Sequence, residues 1–308
     1  MPLTKGPRDK WGSQMSNEQA RGPGQWLDDV LDVEQVEQNY FRGIATPQGR
    51  GRSFGGQVIG QALMSAIRTV SDDRPVHSLH AYFMRPGDAT QPVLYQVERD
   101  RDGRSFATRR VIAVQAGKPI LNLAASFHGE EPGFHHQDEM PDVPGPDELK
   151  ADHEVGEEMA DQLPPEFLKW LRSPRPVEMR PVGLRPPFTR EAHAPSHAMW
   201  VRLRGGFGED PAMHRAGLAY TTDYGLLTTC MLPFGKTFTD PDMQFASLDH
   251  AVWFHDHFRM DEWLLYVMDS PWSGGARGFN RGQVYSRDGR LVASTAQEGL
   301  VRNINFKG

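Results

Sequence analysis

The chain has 308 residues, 38% of them hydrophobic and 10% aromatic, enough for one large or two ordinary packed domains. Its formal net charge of -6 argues against general binding to nucleic acid or to anionic membranes. A lone cysteine, Cys230, excludes an internal disulfide framework and fits a reducing cytosol. No stretch approaches the ~18 apolar residues of a membrane span, the N-terminus lacks an apolar signal core, and Phe306-Lys307-Gly308 is not a peroxisomal address. A cytoplasmic protein without stable membrane association is expected.

In chain order, residues 1–25 are polar and rich in Gly, Arg, Gln and Ser, which predicts a disordered extension. A first domain, 26–128, opens with helical periodicity from Leu27 through Leu31, Val33, Val36 and Tyr40. The segment Gly55–Val70 reads as a central helix. Its apolar set (Val58, Ile59, Ala62, Leu63, Ala66, Ile67 and Val70) is too broad for a surface helix, so a sheet must wrap around it. Strands with period two follow at Val76–Phe83, Val93–Glu98, Phe106–Gln115 and Pro119–Phe127, with Ala116-Gly117 as a tight turn. Residues 129–175 are acidic and Pro-rich, and read as a solvated linker with one short helix near Glu166–Leu171. The second domain, 176–308, carries strand-like Met199–Arg204 and a helix at Tyr224–Leu232 stopped by Pro233. Strands then run Phe245–His255, Glu262–Met268, Phe279–Ser286 and Leu291–Arg302.

The second half repeats the first. Gly289–Gln297 echoes Gly117–Ala125, Ala276–Phe279 echoes Gly103–Phe106, and Ser247–Ala251 echoes Ser78–Ala81, with Tyr266 falling where Tyr95 falls. The offset stays near about 170 residues, as expected for two fused copies of one domain. The fold class is therefore α+β, two tandem copies of a long helix wrapped by a curved antiparallel sheet. Equivalent positions differ in chemistry: Ala125 in the first copy corresponds to Gln297 in the second.

Asp223, just before the expected second helix, fits an N-cap and equally a carboxylate held ionised beside backbone amides that can bind an oxyanion. Gln297 points to the face opposite Glu298 and must find partners if buried. Ser247–His250 suggests a hydrolase triad, but strand alternation puts Ser247 with Asp249 on one face and turns His250 to the other, and no Gly-x-Ser-x-Gly elbow is present. Ser247 remains a candidate for positioning water. Asp249 and His250 read as structural, since His80 takes the place of His250 in the first copy. His255 and His257 lack a third spaced ligand, so no metal is expected. Gly55, Gly56, Gln57 and Gly225 could let a ligand approach helix-start amides, and Arg277, Arg281 and Arg302 could contact phosphate.

Phe54–Leu63, His77–Gly87, Ser247–His255 and Ser294–Gly299 resemble the acyl-CoA thioesterase II family over residues 26–305. The resemblance implies a double hotdog fold and hydrolysis of fatty acyl-CoA to free acid and CoA without a cofactor. It also implies a catalytic trio of an Asp before the second helix, a hydroxyl residue and a Gln on the last strand, falling on Asp223, Ser247 and Gln297. A common form has Thr where this chain has Ser247. Homo-oligomerisation, as a dimer or higher, is implied too. A non-catalytic acyl-CoA sensor and a hotdog enoyl-CoA hydratase remain alternatives on sequence alone.

Overall fold

The computed structural model describes residues 27–46, 51–185, 187–205 and 207–306; the expected N-terminal extension lies outside them. The first repeat contains α1 (Leu27–Leu31), β1 (Glu34–Glu37), β2 (Tyr40–Gly43), α2 (Gly55–Ile67), β3 (Val76–Phe83), β4 (Val93–Asp102), β5 (Phe106–Gln115) and β6 (Lys118–His128). The intervening segment folds into α3 (Asp152–Glu158) and α4 (Pro165–Arg172). The second repeat contains β7 (Val177–Pro181), β8 (Ser196–Leu203), α5 (Pro211–Thr221), a 3-10 helix (Leu227–Phe234), β9 (Met243–Ser247), β10 (Asp249–Phe254), β11 (Leu264–Gly274), β12 (Arg277–Ser286) and β13 (Leu291–Asn303).

The strands form one continuous antiparallel sheet in the order β1-β2-β4-β5-β6-β3-β10-β13-β12-β11-β8-β7, with β9 added beside β13. That order reads the same from either edge once each strand is exchanged for its counterpart, which is the topology of two fused copies joined through β3 and β10. At the junction Ala81 pairs with His250 and His80 with Ala251. The double hotdog expected from the sequence is the observed fold.

Each half wraps a helix. From Gly56 to Ala66 every residue of α2 is buried. Its polar members are satisfied: Gln57 donates to Ile44 O, Gln61 donates to Val30 O and accepts from Tyr95 Oη, and Ser65 donates to Gln61 O. The two central helices lie against each other. A Cβ on Gly56 would stand 2.3 Å from Tyr220 O, and one on Gly60 would stand 3.2 Å from Ala216 O, so glycine at these sites sets the helix separation.

Four expectations need correction. The periodicity after Leu31 belongs to strands β1 and β2, and α2 stops at Ile67. The second central helix is Pro211–Thr221, and the apolar run Tyr224–Leu232 instead enters a 3-10 helix that contains Pro233. The signal for α5 was its start: Asp210 accepts from Ala212 N at 2.9 Å, and Pro211 takes the first helical position. Finally, 129–175 is not simply a solvated connector. Met140, Val143 and Leu149 pack against Trp200, Trp263 and Leu265, while Phe167 and Leu171 are buried in a cluster with Phe188.

Gly56→Ala should lower stability by about 1–3 kcal/mol, the usual cost of overpacking, because the Tyr220 carbonyl cannot swing aside. Thermal unfolding beside Gly133→Ala, whose added Cβ meets nothing within 4 Å, checks this. A Gly56 variant as stable as the control would contradict the close helix approach.

Candidate active site

Asp223 follows the C-terminal end of α5, directly after its capping residue Thr222. It is an N-terminal cap, as its chemistry suggested, but for the helix of the other repeat. Its Oδ2 accepts from the Gly56 N–H at the start of α2, at 3.0 Å. A carboxylate is favoured there by the free amides and the positive end of the helix dipole. A Cβ on Gly55 would come within 2.7 Å of Asp223 Oδ2, so the glycine pair admits the carboxylate. The other oxygen, Oδ1, accepts from Gln297 Nε2 at 2.8 Å and from Ser247 Oγ at 3.3 Å. Protein encloses the group on every side except a cavity. Burial pushes its carboxyl up to about 6, against the lowering effect of the Gln297, Gly56 and Ser247 hydrogen bonds.

Ser247 ends β9, where Leu248 interrupts the strand. Leu248 N donates to Glu298 O, and Leu248 O accepts from Phe83 N. The interruption cancels strict alternation, so the expected separation of Ser247 from His250 does not hold: both face Gln297, at 3.2 and 3.1 Å. A Ser-His dyad is nonetheless absent here, because His250 Nδ1 meets Gln297 and its Nε2 meets Thr222 Oγ1. Asp249 turns the other way and accepts from Glu298 N. Gln297 points inward and is fully buried, opposite Glu298, as period two requires.

The comparison of His80 with His250 also needs correction. His80 is exposed against Trp253, whereas His250 is fully buried. The inward residue that matches His250 is Leu79, which pairs with Ala125 as His250 faces Gln297. The second copy thus has two polar side chains where the first has two apolar ones.

Asp223 and Ser247 open onto a cavity of about 840 Å³. Its wall is chiefly apolar and aromatic, including Phe54, Phe167, Trp170, Phe188, Tyr224 and Phe245. Phe167 and Trp170 come from α4, so the segment between the repeats builds part of the wall. Arg175, stacked over Trp170 at 4.4 Å and paired with buried Asp152 at 2.6 Å, ties that helix down. Gly225 also lines the cavity; it has φ of 78°, and an added Cβ would meet Met199 Cε at 2.7 Å. Gln57 is turned to Ile44 and Thr46. Arg277 pairs with Glu298, Arg281 with Asp269, and neither is among the lining residues. Arg302 bonds Gln244. His255 contacts Ser294 and His257 contacts Glu130, and no three acidic, His or Cys groups among the described residues could hold a metal.

Two family models match: the acyl-CoA thioesterase N-terminal domain over residues 44–128 and the C-terminal domain over 139–301. The chain is 43% identical to human acyl-coenzyme A thioesterase 8, the match covering 89% of this chain and 88% of that protein. It is 36% identical to acyl-CoA thioesterase 2 of Haemophilus influenzae, covering 89% and 96%. Among solved structures, an acyl-CoA thioesterase II from Mycobacterium marinum is 39% identical with a TM-score of 0.73, covering 92% and 99%. A hot dog protein from Alicyclobacillus acidocaldarius, 19% identical with a TM-score of 0.71 over 90% and 97%, shows the fold alone.

The raised carboxyl of Asp223 has a consequence for stability. A carboxyl at about 6 when folded and 3.8 when unfolded stabilises the fold fully below the lower value, and this contribution is lost as pH rises through the upper one. Relative to Asp223→Asn, the wild type should therefore lose up to roughly 3 kcal/mol between pH 4 and pH 8. Urea unfolding of both proteins at the two pH values reads it. A pH-independent difference would contradict the buried carboxylate.

Proposed function

The chain belongs to the acyl-CoA thioesterase II family and is a thioester hydrolase of acyl-CoA, and we propose that Asp223, Ser247 and Gln297 activate the water its reaction consumes. The observation that carries this reading is the convergence of hydroxyl, amide and carboxylate within 3.3 Å, with the hydroxyl and the carboxylate at the wall of an apolar cavity. Asp223 is the general base: it takes a proton from the water as the water oxygen attacks the thioester carbonyl carbon. Ser247 holds that water, and Gln297 holds the carboxylate in line for it. The tetrahedral intermediate collapses with cleavage of the C–S bond, and the proton on Asp223 passes to the departing CoA sulfur. A thiolate is a good leaving group, so no strong acid is required.

The Gly56 amide is already committed to Asp223, which leaves the amide of Gly225, at the cavity wall, as the candidate to stabilise the oxyanion. The aromatic and aliphatic wall suits a fatty acyl chain. For Arg277, Arg281 and Arg302 no contact supports a phosphate role. The chain-length preference is assigned to α4, whose Phe167 and Trp170 form part of the wall.

No helix among the described residues is long and apolar enough to cross a membrane. With one buried cysteine and a net charge of -6, the reading is a cytoplasmic enzyme. Exposed Tyr82, Met84, Phe106 and Trp272 support association of the sheet with a second copy. Light scattering should give a multiple of 34.7 kDa, and a single-chain mass at micromolar concentration would refute the oligomer.

Thiol release from a panel of short to long acyl-CoAs tests the site. Asp223→Asn should lower kcat by about 10²–10⁴-fold, and Gln297→Ala should do likewise to a lesser degree, with folding retained. In the wild type, kcat/KM should fall as pH drops below about 6, since the base must be ionised. Undiminished release by Asp223→Asn would place the chemistry elsewhere, and acyl-CoA binding without release at any chain length would favour a sensor.

A further inference from the structure

His250 stands behind the trio and makes none of the contacts to the cavity that Asp223 and Ser247 make. It is fully buried on β10, between Gln297 Nε2 at 3.1 Å and Thr222 Oγ1 at 3.0 Å. Gln297 Nε2 lies within hydrogen-bond reach of Asp223, Ser247 and His250, while its Oε1 has no protein partner. A primary amide must choose which of its two ends faces these groups, and its neighbours decide. If His250 carried its hydrogen on Nδ1, the amide oxygen would have to turn toward it, and toward the Asp223 carboxylate as well.

Thr222 supplies the deciding contact. Its Oγ1 stands 3.4 Å from Ala219 O and 3.0 Å from His250 Nε2; with the hydroxyl hydrogen donated to Ala219 O its lone pair faces the ring, and on that basis the ring hydrogen is assigned to Nε2. Nδ1 is left bare to accept from Gln297. Burial pushes the imidazole down to about 4, so the ring is neutral wherever Asp223 is ionised. The other titratable groups coupled to Asp223, Tyr220, Tyr224 and Tyr266, are all pushed up by burial and stay neutral too. The first repeat, with Leu79 facing Ala125, has neither member of the pair.

We propose that His250 is a positioning residue: through its Nε2–H tautomer, set by Thr222, it holds the Gln297 amide with the NH₂ group on Asp223. The proposal rests on Asp223 being the base. Two substitutions separate this role from packing. In His250→Asn the side-chain oxygen can stand where Nδ1 stands and accept from Gln297. In His250→Gln the amide reaches Thr222 but leaves the Nδ1 place without an acceptor.

The measurement is the pH profile of kcat and KM for thiol release, with thermal unfolding, for both variants beside Asp223→Asn. His250→Gln should lose about tenfold or more in kcat with KM little changed. Its acid limb should move to higher pH, because Asp223 loses the Gln297 hydrogen bond that favours its ionised form. His250→Asn should restore kcat to within about threefold of wild type and leave the limb in place. Equal losses in both variants that track lost thermal stability, with unmoved limbs, would overturn the assignment, as would full activity in both. An inactive Asp223→Asn with indistinguishable His250 variants sinks only this inference, whereas an active Asp223→Asn sinks the reading of the trio.

Discussion

The hydrogen bond from the Gly56 amide to the Asp223 carboxylate is the constraint around which the site is built. It joins the start of one repeat's helix to the end of the other's. That is possible only because α2 and α5 pack closely, and they do so because Gly56 and Gly60 present no side chain to Tyr220 and Ala216. Neither repeat alone holds both partners. The duplication is thus a mechanical requirement of this site: α5 delivers the carboxylate, α2 delivers the amide, and the β3–β10 junction fixes the two halves edge to edge.

The two repeats have diverged where that geometry could have been used twice. Gln297 lies beside Asn280 in the second copy, and Ala125 lies beside Arg109 in the first. Arg109 is almost fully buried; its guanidinium donates to Thr69 Oγ1, Thr69 O and Asp102, spanning the end of α2. Thr69, just beyond α2, occupies the place that Asp223 takes just beyond α5. The first copy therefore spends its buried polar capacity on a satisfied internal network. The second leaves a carboxylate and a hydroxyl facing a cavity, with a buried amide behind them. One scaffold, packed apolar at Leu79 and Ala125 and polar at His250 and Gln297, carries the asymmetry that stands in the sequence.

Much of this was legible before any coordinates. The duplication, the strands β3 to β6 and β10 to β13, the burial of α2 and the opposite directions of Gln297 and Glu298 all follow from repeated text and period two. Where expectation and structure part, either a local start or stop signal went unweighed or a nonlocal interaction overruled a local pattern. The apolar run Tyr224–Leu232 looked more helical than Pro211–Thr221, yet the latter has the Asp210–Pro211 start and the former has Pro233 within it. The strand through Ser247 and His250 is interrupted at Leu248 because that residue bonds to Phe83 and Glu298, partners far away in sequence. The acidic composition of 129–175 concealed Phe167, Trp170 and Leu171 on one side of a short helix, whose docking depends on Arg175 and Asp152.

One carboxyl, set between the two repeats at the cavity wall, is held above its ordinary range by desolvation, and in the proposed reaction it is the group that must ionise for turnover. Infrared difference spectroscopy across pH 3 to 9, comparing wild type with Asp223→Asn, tests it most directly. One carboxyl signal is expected in the wild type with a midpoint about 6, absent from the variant, and coincident with the acid limb of kcat/KM. A spectrum in which the signal lost with Asp223 titrates at about 4, the usual aspartate value, while the kinetic limb lies elsewhere, would contradict it.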